Sequence, residues 1–230
     1  MTMPGTNFAV PRDPGGLAFV APDHDCALCP RLRDFRRANR RALPEYHNAP
    51  VPSFGETDAR LLVVGLAPGL KGANRTGRPF TGDFAGDLLY GTLLKFGLAL
   101  GAYAAKVDDG LILKDCRITN AVRCVPPENK PTPDEMKTCN AFLRAEIAAM
   151  PRLAAVVALG AIAHDAVLVA FGARRASARF AHGARHSVAR GITLFDSYHC
   201  SRYNTNTGKL TEAMFHAVFA EVRQALAVQP

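Results

Sequence analysis

The chain has 230 residues, 48 % of them hydrophobic, and 28 Lys and Arg against 20 Asp and Glu give a net charge of +8. That length supplies one sizeable core and is short for two, so a single domain over 25–230 is expected behind an arm formed by residues 1–24. No apolar run reaches the ~20 residues of a membrane span and no signal segment opens the chain, so a soluble, cytoplasmic monomer away from membranes is expected.

The arm is rich in Pro and Gly and lacks periodicity, which reads as extended chain. Cys26 and Cys29 follow as a C-x2-C pair. Next come Arg31, Arg33, Arg36, Arg37, Arg40 and Arg41 against the single acid Asp34. Such a run forms either a solvated face or an arc that holds a phosphate backbone. Leu61 to Leu66 is a short, continuously apolar run of the kind that forms a strand buried on both faces. It ends in a loop, Gly65 to Asp83, whose five glycines and two prolines let backbone come close to a ligand. The loop lacks both the Lys-Ser/Thr ending of a P-loop and the spacing of a dinucleotide fingerprint.

Asp83 to Ala102 repeats apolar residues at helical spacing, and Ile118 to Val122 reads as a second buried strand. Thr132, Pro133 and Glu135 form a capping box with Pro at the first helical position. The helix they start sets Met136, Asn140, Leu143 and Ile147 on one face. Leu153 to Leu159 predicts a third strand and Gly160 to Phe171 a shorter helix. A second basic run, Arg174, Arg175, Arg179, Arg185 and Arg190, precedes a fourth strand at Ile192 to Phe195. The last helix, 208–226, carries Leu210, Met214, Val218, Val222 and Leu226 as a core-facing stripe. Strand and helix in alternation give an α/β fold, a three-layer α/β/α sandwich, with ligands expected beyond the carboxyl ends of the strands.

Six cysteines in such a chain point to metal or cluster ligation before disulfides. Cys26, Cys29, Cys124 and Cys139 can hold a [4Fe-4S] cluster or zinc on chemistry alone. Asn120 offers a donor and an acceptor side by side, able to pair with the edge of a base. His199 supplies an imidazole within DSYHCSRYNTNTG, the loop after the fourth strand.

Taken together, GLAPG with NRTGRPFTGD, TNAVRC with PPENKP, YHCSRYNTNTG and the four cysteines resemble the family-5 uracil-DNA glycosylases from about Cys26 to Leu210. The resemblance implies a four-stranded parallel sheet with flanking helices and a structural [4Fe-4S] cluster on Cys26, Cys29, Cys124 and Cys139. It implies excision of uracil, and of other deaminated bases such as hypoxanthine, from a nucleotide flipped out of DNA. Gly65, Leu66 and Ala67 would line the base pocket, Phe80 would stack on the base and Asn120 would read its edge. His199 would stabilise the departing anion, while Ser201, Arg202 and Tyr203 would engage the DNA. Many relatives carry Asp or Asn where Ala67 stands, so the water falls to Asn74, with Asp83 and Asp87 as alternatives. Cys200 replaces the usual Pro after the motif His. Two other readings remain: a non-catalytic cluster- or zinc-containing DNA-binding protein, and a nucleoside or nucleotide hydrolase on the same scaffold.

Overall fold

The computed structural model describes residues 20–228, so most of the expected arm lies outside the described residues. The described chain runs α1 (Pro30–Ala42), β1 (Leu61–Gly65), α2 (Ala73–Thr76), α3 (Phe84–Lys95), β2 (Ala99–Leu100), β3 (Ile112–Leu113) and β4 (Cys116–Asn120). It continues through α4 (Pro133–Ala148), β5 (Ala155–Leu159), α5 (Ala161–Ala170), β6 (Arg185–Ala189), β7 (Ile192–Ser197), α6 (Arg202–Asn206) and α7 (Glu212–Val228). Among the described residues no helix is long and apolar enough to cross a membrane.

The main sheet has five strands in the order β4-β1-β5-β7-β6. The four expected strands are parallel to one another, with Gly65 opposite Asn120 in the β1/β4 pair. The fifth corrects the expected strand count: β6 is antiparallel to β7 at the edge. Its sequence, RHSVA, buries only its last two residues, so no apolar run betrays it.

Parallel strands covered on both faces are buried along their whole length, as β1, β4 and β5 are, and favour apolar side chains except where a buried polar partner is supplied, as for Arg117 and Thr119 of β4. Leu61 and Val63 face α3 and α7, meeting Leu89, Leu93, Phe215 and Phe219. Leu62 and Val64 face α4 and α5, meeting Leu143, Ile147 and Val167. The period-two alternation of β1 thus feeds two separate cores.

Three helices differ from expectation. The segment expected to be helical over 83–102 stops at Lys95, because Gly97 turns the backbone to φ 66 and Ala99–Leu100 pairs with Ile112–Leu113. The final helix starts at Glu212 and not at 208, where Gly208 at φ 70 separates it from α6. The arginine run is a helix, α1, with Arg40 and Arg41 in its last turn. Of that run only Arg36 is buried, and three of its arginines make specific contacts outside the helix. Arg31 forks onto Glu135, Arg36 donates to Cys124 Sγ, and Arg40 pairs with Asp25.

Polar cross-ties complete the frame. Asp196 of β7 joins His164 of α5 at 2.7 Å and His186 of β6 at 3.1 Å, while His164 Nε2 meets the Ala178 carbonyl at 3.0 Å. Beneath the β4 exit, buried Glu146 of α4 accepts from Arg117 Nε at 2.6 Å, from Thr119 Oγ1 at 2.9 Å, and from Arg123. Removing the shared carboxylate takes this acidic partner away from two buried guanidinium groups, which keep their neutral acceptors. Glu146→Ala should therefore lower the unfolding free energy by about 3–5 kcal/mol, read from urea midpoints.

Candidate active site

Loops at the carboxyl ends of β1, β4, β5 and β7 bring four residues together. Gly65 ends β1 and Asn120 ends β4, paired side by side. A Cβ on Gly65 would stand 2.5 Å from Asn120 Oδ1 and 2.6 Å from the ring of Phe80, so only glycine fits. The Phe80 ring lies beside His199, centroids 5.9 Å apart and planes 28° from parallel. Gly160, which follows β5 at φ 101, places the position of an added Cβ 3.7 Å from His199 Cβ. The structure thus brings Gly65, Phe80, Asn120 and His199 together at the carboxyl edge of the sheet.

Burial pushes the His199 imidazole down to about 4, so it is neutral near pH 7. Asn204 Nδ2 donates to its backbone carbonyl at 2.8 Å and fixes its place in the loop. Cys200 beside it is buried, with Sγ 3.4 Å from the Ala85 carbonyl. That contact anchors the loop where a Pro ring would otherwise stiffen it. A neutral imidazole still carries one N–H, which can donate to an anion.

Leu66 and Ala67 continue from Gly65, and Leu66 O accepts from Val122 N–H at 2.9 Å. Ala67 packs against the cluster of Leu32, Val122, Cys124 and Cys139, so this part of the loop faces the cysteines. Asn74 is fully buried in α2, its amide nitrogen donating to Asn48 Oδ1 at 2.9 Å. Asn74 Oδ1 has no protein donor. Asp83 caps α3 through Gly86 N–H and points at the Gly69–Gly72 turn, where a Cβ on Gly72 would meet Asp83 Oδ2 at 2.2 Å. Burial raises the pKa of this carboxyl. Asp87 is exposed on the first turn of α3.

The segment after His199 faces outward. Ser201 caps α6, the Arg202 guanidinium lies 5.3 Å from the Phe84 ring centre, and Tyr203 is 74 % exposed. Of the second basic run, Arg174, Arg179 and Arg190 are exposed. Arg175 approaches Asp165 at 3.9 Å and Arg185 approaches Glu221 at 3.5 Å.

Cys26, Cys29, Cys124 and Cys139 line one cavity, together with Leu32, Arg36 and Phe142. Cys29 caps α1, Cys124 follows β4 and Cys139 lies on α4. Arg36 NH1 donates to Cys124 Sγ at 3.1 Å, and Arg123 N–H donates to Cys139 Sγ at 3.4 Å. Burial pushes the Cys124 thiol up to about 11 and the Cys139 thiol up to about 12. The remaining two, Cys116 and Cys200, sit in the core. Gly160, Asn204 and Arg36 escaped sequence reasoning. A glycine closing an apolar strand was the one available signal for the first, and the other two contacts span folds of the chain that no spacing reveals.

A parallel sheet with an amide, an aromatic ring and a neutral imidazole at its carboxyl edge is the arrangement of a base-handling hydrolase. Residues 52–223 match the family model of the uracil DNA glycosylase superfamily. The chain is 45 % identical over 212 residues to the type-5 uracil-DNA glycosylase of Thermus thermophilus, covering 90 % of this chain and 96 % of that one. It is 44 % identical to the type-5 enzyme of Pyrobaculum aerophilum over 81 % of this chain and 83 % of that one. A type-4 enzyme of the same archaeon is 33 % identical over 60 % of this chain and 63 % of its own. The chain therefore belongs to the uracil DNA glycosylase superfamily and, within it, to the type-5 branch.

A depressed His199 has a thermodynamic consequence. The unfolded chain takes up a proton near 6.5 and the folded one near 4, so between those values the unfolded state binds more protons. The His199 share of stability is complete above pH 6.5 and is lost as pH falls toward 4. Urea unfolding across that range should give a smaller rise with pH for His199→Asn than for the wild type.

Proposed function

We propose that this protein removes uracil from DNA by hydrolysing its N-glycosidic bond, leaving an abasic site for repair. The observation that carries the reading is that the Asn120 amide and the Phe80 ring close over the bare face of Gly65 while the same ring lies beside the His199 imidazole. Stacked bases are out of reach in a duplex, so the nucleotide turns out at a penalty of a few kcal/mol. Ser201 and Arg202 grip the backbone and exposed Tyr203 fills the gap left behind. Phe80 takes the base on its ring, and the Asn120 amide pairs with the uracil edge. Gly65, Leu66 and Ala67 form the floor of the base pocket.

As the bond breaks, positive charge grows on the sugar and negative charge on the base. Neutral His199 donates its N–H to the uracil oxygen beside the bond, in a cleft where burial strengthens the interaction. Ala67 offers no base, so leaving-group stabilisation dominates. Asn74 Oδ1, a buried acceptor without a protein donor, orients the attacking water, and the Asp83 carboxyl on the same loop is the alternative. Other deaminated bases such as hypoxanthine are further substrates in this reading.

Cys26, Cys29, Cys124 and Cys139 hold a [4Fe-4S] cluster in this reading, and three observations support the fit. The four thiols line one cavity, and Arg36 Nε is a buried N–H without a protein acceptor beside them, matched by a thiolate or cluster sulfide. Among the described residues the trio of ligand atoms within 4.8 Å of one another is His164, His186 and Asp196, so no three sulfurs are that close. Tetrahedral zinc with bonds of ~2.3 Å would draw its sulfurs to about 3.8 Å. When bound, the cluster ties α1, β4 and α4 together as a structural clamp. The protein works as a monomer in the cytoplasm, where thiols stay reduced.

The deciding experiment is incubation with a uracil-containing duplex followed by alkali. Strand breaks are expected, with His199→Ala slowing excision by about 10²–10³-fold, the loss of one well-placed donor. Asn120→Ala should cost about 1–3 kcal/mol of discrimination against cytosine. Binding without breaks would favour a non-catalytic DNA-binding protein, and release of base from free deoxyuridine alone a nucleoside hydrolase. Independently, purified protein should carry about four iron atoms per chain, and Cys124→Ala should lose both the iron and the brown colour. Stoichiometric zinc in the wild type would defeat the cluster reading.

A further inference from the structure

Phe80 has its backbone at φ 52, the left-handed region that a bulky residue enters only under outside restraint. That conformation sets its ring against Gly65 and beside His199. The restraint has an identifiable source two residues earlier. Arg78 is 3 % exposed and forks onto Asp109, NH1 to Oδ1 at 2.9 Å and NH2 to Oδ2 at 2.7 Å. Its Nε donates to Thr81 Oγ1 at 2.8 Å, so one guanidinium group holds the loop from both sides of Phe80. Three rings enclose it, with the centres of Phe54, Tyr90 and Tyr103 at 5.2, 5.3 and 5.8 Å.

The same rings tie down the loop backbone. Tyr90 OH donates to the Pro79 carbonyl at 2.6 Å, and Tyr103 OH donates to the Phe80 carbonyl at 3.2 Å. Asp109 also accepts from Ala104 N–H at 3.0 Å and Leu111 N–H at 3.1 Å, which closes its own loop around the fork. A buried ion pair is weak support for stability, since apolar residues of equal volume often serve as well. Its value here lies in direction, because a planar fork fixes angles that apolar packing leaves free.

We infer that Arg78 and Asp109 are positioning residues for base recognition, holding the left-handed backbone at Phe80 and so the plane on which the extruded base stacks. This rests on the reading that Phe80 stacks on that base. Neither residue touches the substrate, and both act through the ring. Lysine at position 78 would keep the charge but could not span both carboxylate oxygens and Thr81 together.

The test is a double-mutant cycle on uracil release at limiting substrate. Arg78→Lys should cost about tenfold in the wild-type background and less than about twofold in the Phe80→Ala background, since a ring that is absent cannot be misplaced. In a Tyr203→Ala background the full tenfold loss should persist, because that residue belongs to another element. Asp109→Asn should repeat the pattern. Equal losses with and without Phe80 overturn the inference. So does the disappearance of the cooperative thermal transition in both Arg78→Lys and Asp109→Asn, which would make the pair a stability element. If Phe80→Ala alone excises uracil at the wild-type rate, the stacking reading itself fails, a result separate from additivity in the cycle.

Discussion

The cleft depends on a side chain that is not there. At the last paired position of β1 and β4, a Cβ on Gly65 would come within 2.5 Å of Asn120 Oδ1 and 2.6 Å of the Phe80 ring. Because that Cβ is missing, an amide from one strand and a ring from the following loop can approach the same patch of backbone. Any other residue would force one of them out, and with it either the recognition of the base edge or the surface for its face. Chemistry therefore begins where strand pairing ends, and the sheet register decides which side chains meet.

A second constraint is dielectric. Burial pushes the His199 imidazole down to about 4. Asp83 moves the other way for the same reason, burial raising the pKa of its carboxyl. A cleft that disfavours charge on its own groups also magnifies the gain when one of them meets the anion developing on a departing base. That gain is present only once the bond begins to break, as catalysis requires.

Much of this was legible in the sequence because buried parallel strands write themselves as apolar runs and loops write themselves in Gly, Pro and Asn. The four parallel strands, the capping box at Thr132 and the side-chain chemistry of Asn120 and His199 could be read without coordinates. The edge strand β6 could not, since RHSVA buries two residues and sits among arginines that suggest solvent. Nor could the shortness of α3, where a glycine at positive φ overrides continuing apolar periodicity. The arginines of α1 were read by charge, whereas their roles follow from contacts with Glu135, Cys124 and Asp25, of which the first two are distant in sequence. Long-range pairing of polar groups leaves no local signature, and for that reason Arg36 and Arg78 emerged only from the fold.

The cysteine cavity and the base cleft share one strand exit. Asn120 closes β4, Cys124 follows four residues on, and α4 supplies both Cys139 to the cavity and Glu146 to the arginines at positions 117 and 123. On the far side of the cavity stands α1, whose sequence PRLRDFRRANRRA buries only Leu32, Arg36 and Asn39. Thirteen residues with so little apolar surface are marginal as a helix. Polar ties hold it in place, and the proposed cluster would add a ligated Cys29 at its cap. A clamp at the cysteines would then bear directly on Asn120, because loosening the exit of β4 moves the amide that reads the base. In that light a cluster would need no part in bond cleavage to matter for excision: it would hold still the same strand exit at which the nucleotide is drawn in.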